Sequence, residues 1–400
     1  MRKLRGALIL VAALGLVGAA CGGGSSGEGG GGGGDGEQPR LKAYDADAQG
    51  EGQLSLIAWP GYTQPKIVKP FEEETGCQVT LKYGNTSDEM VNLMRQQGGS
   101  LYDGVSASGD ATNRLIASGD VAAIDVNSFP GYGNVMTGLQ APAHNTVDGV
   151  HYGVPYTWGP NILMYNTDIV KPAPTSWDIV FEADSPYAGK ITAYDSPIYI
   201  ADAAMYLKSH QPDLGITDPY ELTQDQFNAA VGLLKQQAGM ISKYWALYTD
   251  EIDGFESQDM AVGTAWPVNL NLVQADGKVP VDGLFSPEEG VTGWADTWMM
   301  SSKAAHETCM LKWMEYSLRP EVQTVTAEYF GATPSVTDAC PQLETDLGKD
   351  AALYHCGDDD YLSGIFLWKT PLPDCGDDRG QACVDYSQWT SAWTEIRGAG

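Results

Sequence analysis

The chain has 400 residues, 52 of them acidic and 23 basic, for a formal net charge of −29. That balance excludes a nucleic-acid binder, which needs a basic surface, and it suits the attraction of small cations by long-range steering. About 350 residues remain beyond the N-terminal leader, more than one hydrophobic core ordinarily serves, so two lobes are expected.

Arg2, Lys3 and Arg5 precede an apolar run from Ala7 to Ala20. The run is short, rich in small residues, and ends in Gly18-Ala19-Ala20-Cys21, which is the layout of a secretory signal peptide over residues 1–20. A cysteine directly after small residues also reads as the lipidation site of a bacterial lipoprotein, although the usual leucine three places earlier is Gly18 here. Residues 21–52 are glycine-rich, with Gly29 to Gly34 unbroken, and read as a flexible linker. Lipid on Cys21 would hold the body to a membrane through this leash. No other stretch is apolar enough to span a bilayer. An exported protein at the outer face of the cell membrane or in the periplasm is expected.

The first predicted strand is Leu54 to Ala58, followed by the turn-like Trp59-Pro60-Gly61-Tyr62. A helix ending at Thr75 is stopped by Gly76. Cys77 to Tyr83 alternates as a strand does. Thr86 and Glu89 form a capping box for a helix with Met90, Leu93 and Met94 on one face. Asp103 to Val105 is a strand tip before a helix through Leu115. The middle of the chain continues in the same style, with strands at Asn161–Tyr165, Lys190–Tyr194 and Ala261–Trp266. Thr223 and Gln226 cap another helix, and Pro320 opens one that Gly331 closes. This alternation implies an α/β fold with mostly parallel sheets flanked by helices. The stretch from Cys340 to Cys383 has little periodicity and reads as loops held by disulfides. There is no internal repeat.

Six cysteines besides Cys21 remain: Cys77, Cys309, Cys340, Cys356, Cys375 and Cys383. In an exported chain an even number suggests disulfides, here with fifteen possible pairings. Proximity in sequence favours Cys375 with Cys383 and Cys340 with Cys356, which leaves Cys77 with Cys309.

Motifs of catalysis are mostly missing. There is no HExxH, P-loop or GxGxxG, and no cysteine or histidine set with metal spacing, so neither cofactor nor metal is expected. Gly104-Val105-Ser106-Ala107-Ser108 approaches GxSxG, but Ser108 stands where the second glycine belongs. His144, His151, His210, His306 and His355 are scattered. Asp358 to Asp360 and Asp377-Asp378 could hold calcium but lack the EF-hand spacing, and solvated acidic loops are the simpler reading. The unusual feature is 11 Trp and 20 Tyr, several of them at predicted strand ends. Ligands of open α/β sheets bind beyond those ends. Core packing is the competing role for any single Trp. Trp294 and Asp296, two apart in an extended segment, share one face. An aromatic face beside a carboxylate suits an ammonium group on a methylene chain.

From about Gly52 to Gly398 the chain resembles the spermidine/putrescine-binding proteins of ABC importers. The shared landmarks are Leu56 to Tyr62, Phe71 to Gly76, Tyr102 to Ser108, Gly153 to Gly159, Thr175 to Trp177, Pro287 to Gly290 with Trp294 to Asp296, and Arg319 to Val322. The resemblance implies a two-lobed periplasmic-binding-protein fold, with residues 53–158 plus 297–338 in one lobe, 159–296 plus 339–397 in the other, and the ligand in the cleft. It implies capture of a polyamine without chemistry, followed by docking on an ABC permease. It maps ligand contacts onto Trp59, Tyr62, Ser108, Trp266, Trp294 and Asp296. It also shows departures. Asp110 replaces an aromatic, a second-lobe acid falls at about Tyr199 with Asp195 just upstream, and Ala332 replaces a tyrosine. A monomer is expected. The alternatives are the same fold holding another amine, an amino acid or a sugar, and, more remotely, a secreted hydrolase.

Overall fold

The computed structural model describes residues 39–399, apart from 376–379 and 381. The signal peptide, Cys21, most of the linker, Asp377 and Asp378 lie outside the described residues.

β1 (Gln53–Ala58) turns its leucines and Ile57 into the core. α1 (Pro65–Thr75) begins with proline in its first turn, where no backbone N–H is needed, and ends at Gly76 in the left-handed conformation. β2 (Gln78–Tyr83) pairs in parallel with β1. Thr86 caps α2 (Ser87–Met94) by accepting from the Glu89 N–H, and the Glu89 carboxylate takes the Asn85 N–H. β3 (Gly104–Ser108) lies parallel on the other side of β1 and leads into α3 (Gly109–Ala117). β4 (Val154–Pro160) belongs to the same sheet, whereas β5 (Ile162–Asn166), one residue further on, belongs to a second.

The second sheet is built from β5, β6 (Ile191–Tyr194), β7 (Ile241–Trp245), β8 (Val262–Ala265) and β9 (Val281–Leu284), in the order β9-β5-β8-β6-β7. α4 (Ile200–His210) and α5 (Gln224–Ala238) pack together. β10 (Val291–Met300) then returns to the first sheet, buried at all ten residues and antiparallel to both β3 and β4. α6 (Glu307–Ser317), α7 (Pro320–Phe330) and the short β11 (Thr333–Pro334) follow. The first sheet runs β11-β4-β10-β3-β1-β2, and β12 (Ile365–Leu367) lies parallel beside β10. The parallel trios β2-β1-β3 and β8-β6-β7 are what the strand–helix alternation predicts; antiparallel strands complete both sheets.

Two segments differ from the sequence reading. Residues 40–52, read as linker, are held to the body. Lys42 bridges to Ile124, Tyr44 stacks on Phe129, and the Glu51 carboxylate takes the Thr308 and Cys309 N–H groups at the start of α6. Composition signals flexibility, but a few backbone pairings are enough to pin an extended strip. The 340–383 stretch also holds α8 (Cys340–Leu347) and α9 (Asp359–Ser363) besides β12. Both helices are too short to show a period. The chain ends in α10 (Tyr386–Arg397), which packs against α5.

The disulfides follow the local pairing. Cys77–Cys309 spans 232 residues, Cys340–Cys356 spans 16 and Cys375–Cys383 spans 8. Every strand of the second sheet lies between Cys77 and Cys309. Among the described residues no helix is long and apolar enough to cross a membrane.

Candidate functional site

The carboxyl ends of strands from both sheets supply one recess. Trp59 follows β1, Ser108 ends β3, Trp266 follows β8, and β10 carries Trp294 and Asp296. With Phe330 and Trp368 they line a small recess. Trp294 lies opposite Gly159 across β4 and β10. A Cβ at Gly159 would stand 2.9 Å from the Trp294 ring, so only glycine leaves that indole its place. Trp368 is set by a similar close approach, since its carbonyl comes against Gly109 at the start of α3.

Asp296 is the buried carboxyl group of this recess. Its register partner on β3 is Ser108, whose hydroxyl donates to Oδ1 at 2.5 Å. The Tyr62 hydroxyl donates to Oδ2 at 2.5 Å and itself accepts from Thr157 at 2.9 Å. Burial pushes the Asp296 carboxyl up to about 7, while the Ser108 and Tyr62 donors pull it back and the nearby Asp110 adds to the rise. An ionised carboxylate accepts about four hydrogen bonds, so two sites remain for a ligand donor.

A second small recess shares Trp59, Trp266 and Trp368 with the first. It adds Asn85, Thr86, Ser87, Tyr194, Asp195, Ser196 and Trp245 among its walls. Trp266 stands at the junction, edge-on to Trp59 at 6.2 Å and to Trp245 at 4.7 Å.

The structure thus gathers Trp59, Ser108, Trp266, Trp294 and Asp296 around one space, with Tyr62 behind Asp296 and Asp195 in the adjoining recess. Asp110 and Tyr199 do not line either. Asp110 starts α3 and accepts from the Ser87 hydroxyl at 2.7 Å. Burial pushes it up to about 6, against the lowering effect of Arg114. Tyr199 is buried among Phe181, Tyr194 and Trp393, and its hydroxyl accepts from Gln237 at 3.0 Å. Sequence reasoning missed Trp368 and Phe330. Phe330 reaches the recess from the end of α7, two residues before Ala332. The Ser106 hydroxyl is buried without a hydrogen-bond partner, so no base activates it.

Two sheets joined by crossing strands, with an aromatic recess and one buried carboxylate, define a binding protein of the periplasmic type. The family model described as bacterial extracellular solute-binding protein matches residues 66–353, and the chain belongs to that family. It is 26% identical over 330 residues to the putrescine/agmatine-binding protein of Pseudomonas aeruginosa, covering 78% of this chain and 87% of that protein. It is 24% identical over 312 residues to the spermidine/putrescine-binding periplasmic protein of Escherichia coli, covering 77% and 85%. The fold is similar to that of the spermidine/putrescine ABC transporter substrate-binding protein of Streptococcus pneumoniae, with a TM-score of 0.68 at 18% identity, covering 87% of this chain and 99% of that one. The role of the chain is to bind a solute, not to transform one.

Proposed function

We propose that the solute is a small organic cation of the polyamine class, held by Asp296 and enclosed by Trp59, Trp266, Trp294, Phe330 and Trp368. The observation that carries this reading is the buried Asp296 carboxylate, with two acceptor sites spare, in a recess walled by indole faces. Such faces attract ammonium groups and pack on methylenes. Asp296 is the charged group of the first recess, with no arginine beside it to hold an acidic solute.

In this reading the two lobes close on the solute about the sheet crossings and present it to a membrane permease of the ABC type. The lobe boundaries are drawn at those crossings. β10 lies whole in the first sheet, and α8 packs on α7, so these join the first lobe; α10 packs on α5 in the second. Cys21 carries the lipid, and the segment after it is the leash. A Cys21→Ser chain found in the soluble fraction while the parent stays with membranes supports the anchor. Calorimetric titration of the body, residues 40–400, with a panel of amines, amino acids and sugars tests the ligand class. Binding of sugars or acidic amino acids with no heat from any amine overturns it.

A further inference from the structure

The second recess also contains a carboxylate, Asp195, which follows β6. Three indoles connect it to the first: Trp59, Trp266 and Trp368 border both spaces. A straight diamine lying between those indoles would bring one ammonium to Asp296 and the other toward Asp195. Unlike Asp296, the Asp195 carboxylate already has a cationic partner. Trp393 donates its indole N–H to Oδ1 at 2.8 Å, and the Arg397 guanidinium donates to Oδ2. Both donors come from α10, one turn apart. Arg397 is further held over the Tyr244 ring, 5.5 Å from its centroid.

The remaining groups of that recess are neutral. Asn85, Thr86, Ser87 and Ser196 supply amide and hydroxyl groups. Asp110 stands behind Ser87, whose hydroxyl it accepts, and it is countered by Arg114. Asp202 is consumed elsewhere, accepting from Tyr194 at 2.5 Å and from Thr292 at 3.0 Å. The indole N–H groups of Trp59, Trp266 and Trp368 have no protein acceptor. A carbonyl oxygen entering from the ligand would find donors here, whereas a second ammonium would meet an acid already neutralised by a fixed cation. Bringing a like charge toward a guanidinium in a partly desolvated site is unfavourable.

We infer that Arg397 cancels the second anionic subsite, so that the cleft selects an amine with one ammonium group and a neutral, hydrogen-bonding far end, such as a mono-N-acylated diamine. This rests on Asp296 being the ammonium acceptor. Arg397 acts on the ligand through Asp195 and is therefore a selectivity residue.

The test compares putrescine with mono-N-acetylputrescine by calorimetry, on the parent chain and on Arg397→Gln. The expected result is that the parent binds the acetylated amine at least about tenfold more tightly than the diamine. Arg397→Gln should shift that ratio toward the diamine by about tenfold or more, because the Asp195 carboxylate is then no longer countered by a fixed cation. Trp393→Phe, which removes the other donor, should shift it in the same direction by less, and it covers the case of a misfolded Arg397 variant. A parent that prefers the diamine, or a ratio unmoved in both variants, overturns the inference while leaving Asp296 as the amine acceptor. No binding of either amine by the parent overturns the reading of Asp296 and the inference with it.

Discussion

Ser108 and Asp296 are register partners on antiparallel strands, and the serine hydroxyl donates to the aspartate at 2.5 Å. The ladder therefore holds the recess carboxylate in one orientation before any ligand arrives. Preorganisation of this kind lowers the entropy lost on binding.

Asp296→Asn keeps the shape and removes the charge. It should weaken amine binding by about 2–5 kcal/mol, roughly 30-fold to several thousand-fold, with Asp296→Ala at the upper end. Calorimetric titration measures this, and a melt of the unliganded protein gives the control. A well-folded Asp296→Ala protein with undiminished affinity would remove Asp296 from the site.

The buried acids make both binding and stability depend on pH. Burial pushes Asp296 and Asp202 up to about 7 and Asp110 up to about 6. An ammonium ligand needs Asp296 ionised, so binding should release a proton near neutrality. Affinity should then rise about tenfold between pH 6 and pH 8, with heats that change with the ionisation enthalpy of the buffer. Stability of the empty protein runs the other way. Between the ordinary carboxyl value and 7 the folded state holds protons that the unfolded chain has released. Stability is therefore lost as pH rises through that window. The melting temperature of the empty protein should be higher at pH 5 than at pH 8, and equal values would contradict these burials.

Tyr62→Phe removes one donor to Asp296 and leaves Ser108 in place. A lost hydrogen bond to a charged group costs about 1.5–3 kcal/mol, here in stabilising the ionised form. The carboxyl should climb further above 7, and the pH midpoint of amine binding should move up with it. A titration series across pH detects the shift; an unchanged midpoint argues that the tyrosine only packs.

The long disulfide should matter most to folding. On loop entropy, Cys77–Cys309 should contribute about 3 kcal/mol more than Cys375–Cys383, since their loops span 232 and 8 residues. The Cys77→Ala/Cys309→Ala protein should have the lower urea midpoint of the two double variants. Equal midpoints would show that the second sheet stays ordered without the bridge.

Most of the recess could be read from sequence because its residues sit where strand patterns end. Trp59, Ser108 and Trp266 each close an apolar run, and Trp294 and Asp296 share a face by simple alternation. Trp368 and Phe330 were missed for a physical reason. Trp368 follows a three-residue strand in an aperiodic stretch, and Phe330 belongs to the last turn of a helix whose inward face looks like ordinary core. Asp110 shares the Ser108 turn, but the start of α3 directs it to Ser87. The strip at residues 40–52 is held by backbone pairing and single side chains, which leave no hydrophobic pattern to read.

Because all five strands of the second sheet lie between Cys77 and Cys309, the backbone there forms one covalent ring. A protease that cuts a single peptide bond in a surface loop of that sheet separates nothing. The two pieces remain joined through sulfur and migrate as one species until a reductant is added. Limited digestion can therefore map exposed loops of this half on a molecule that stays whole.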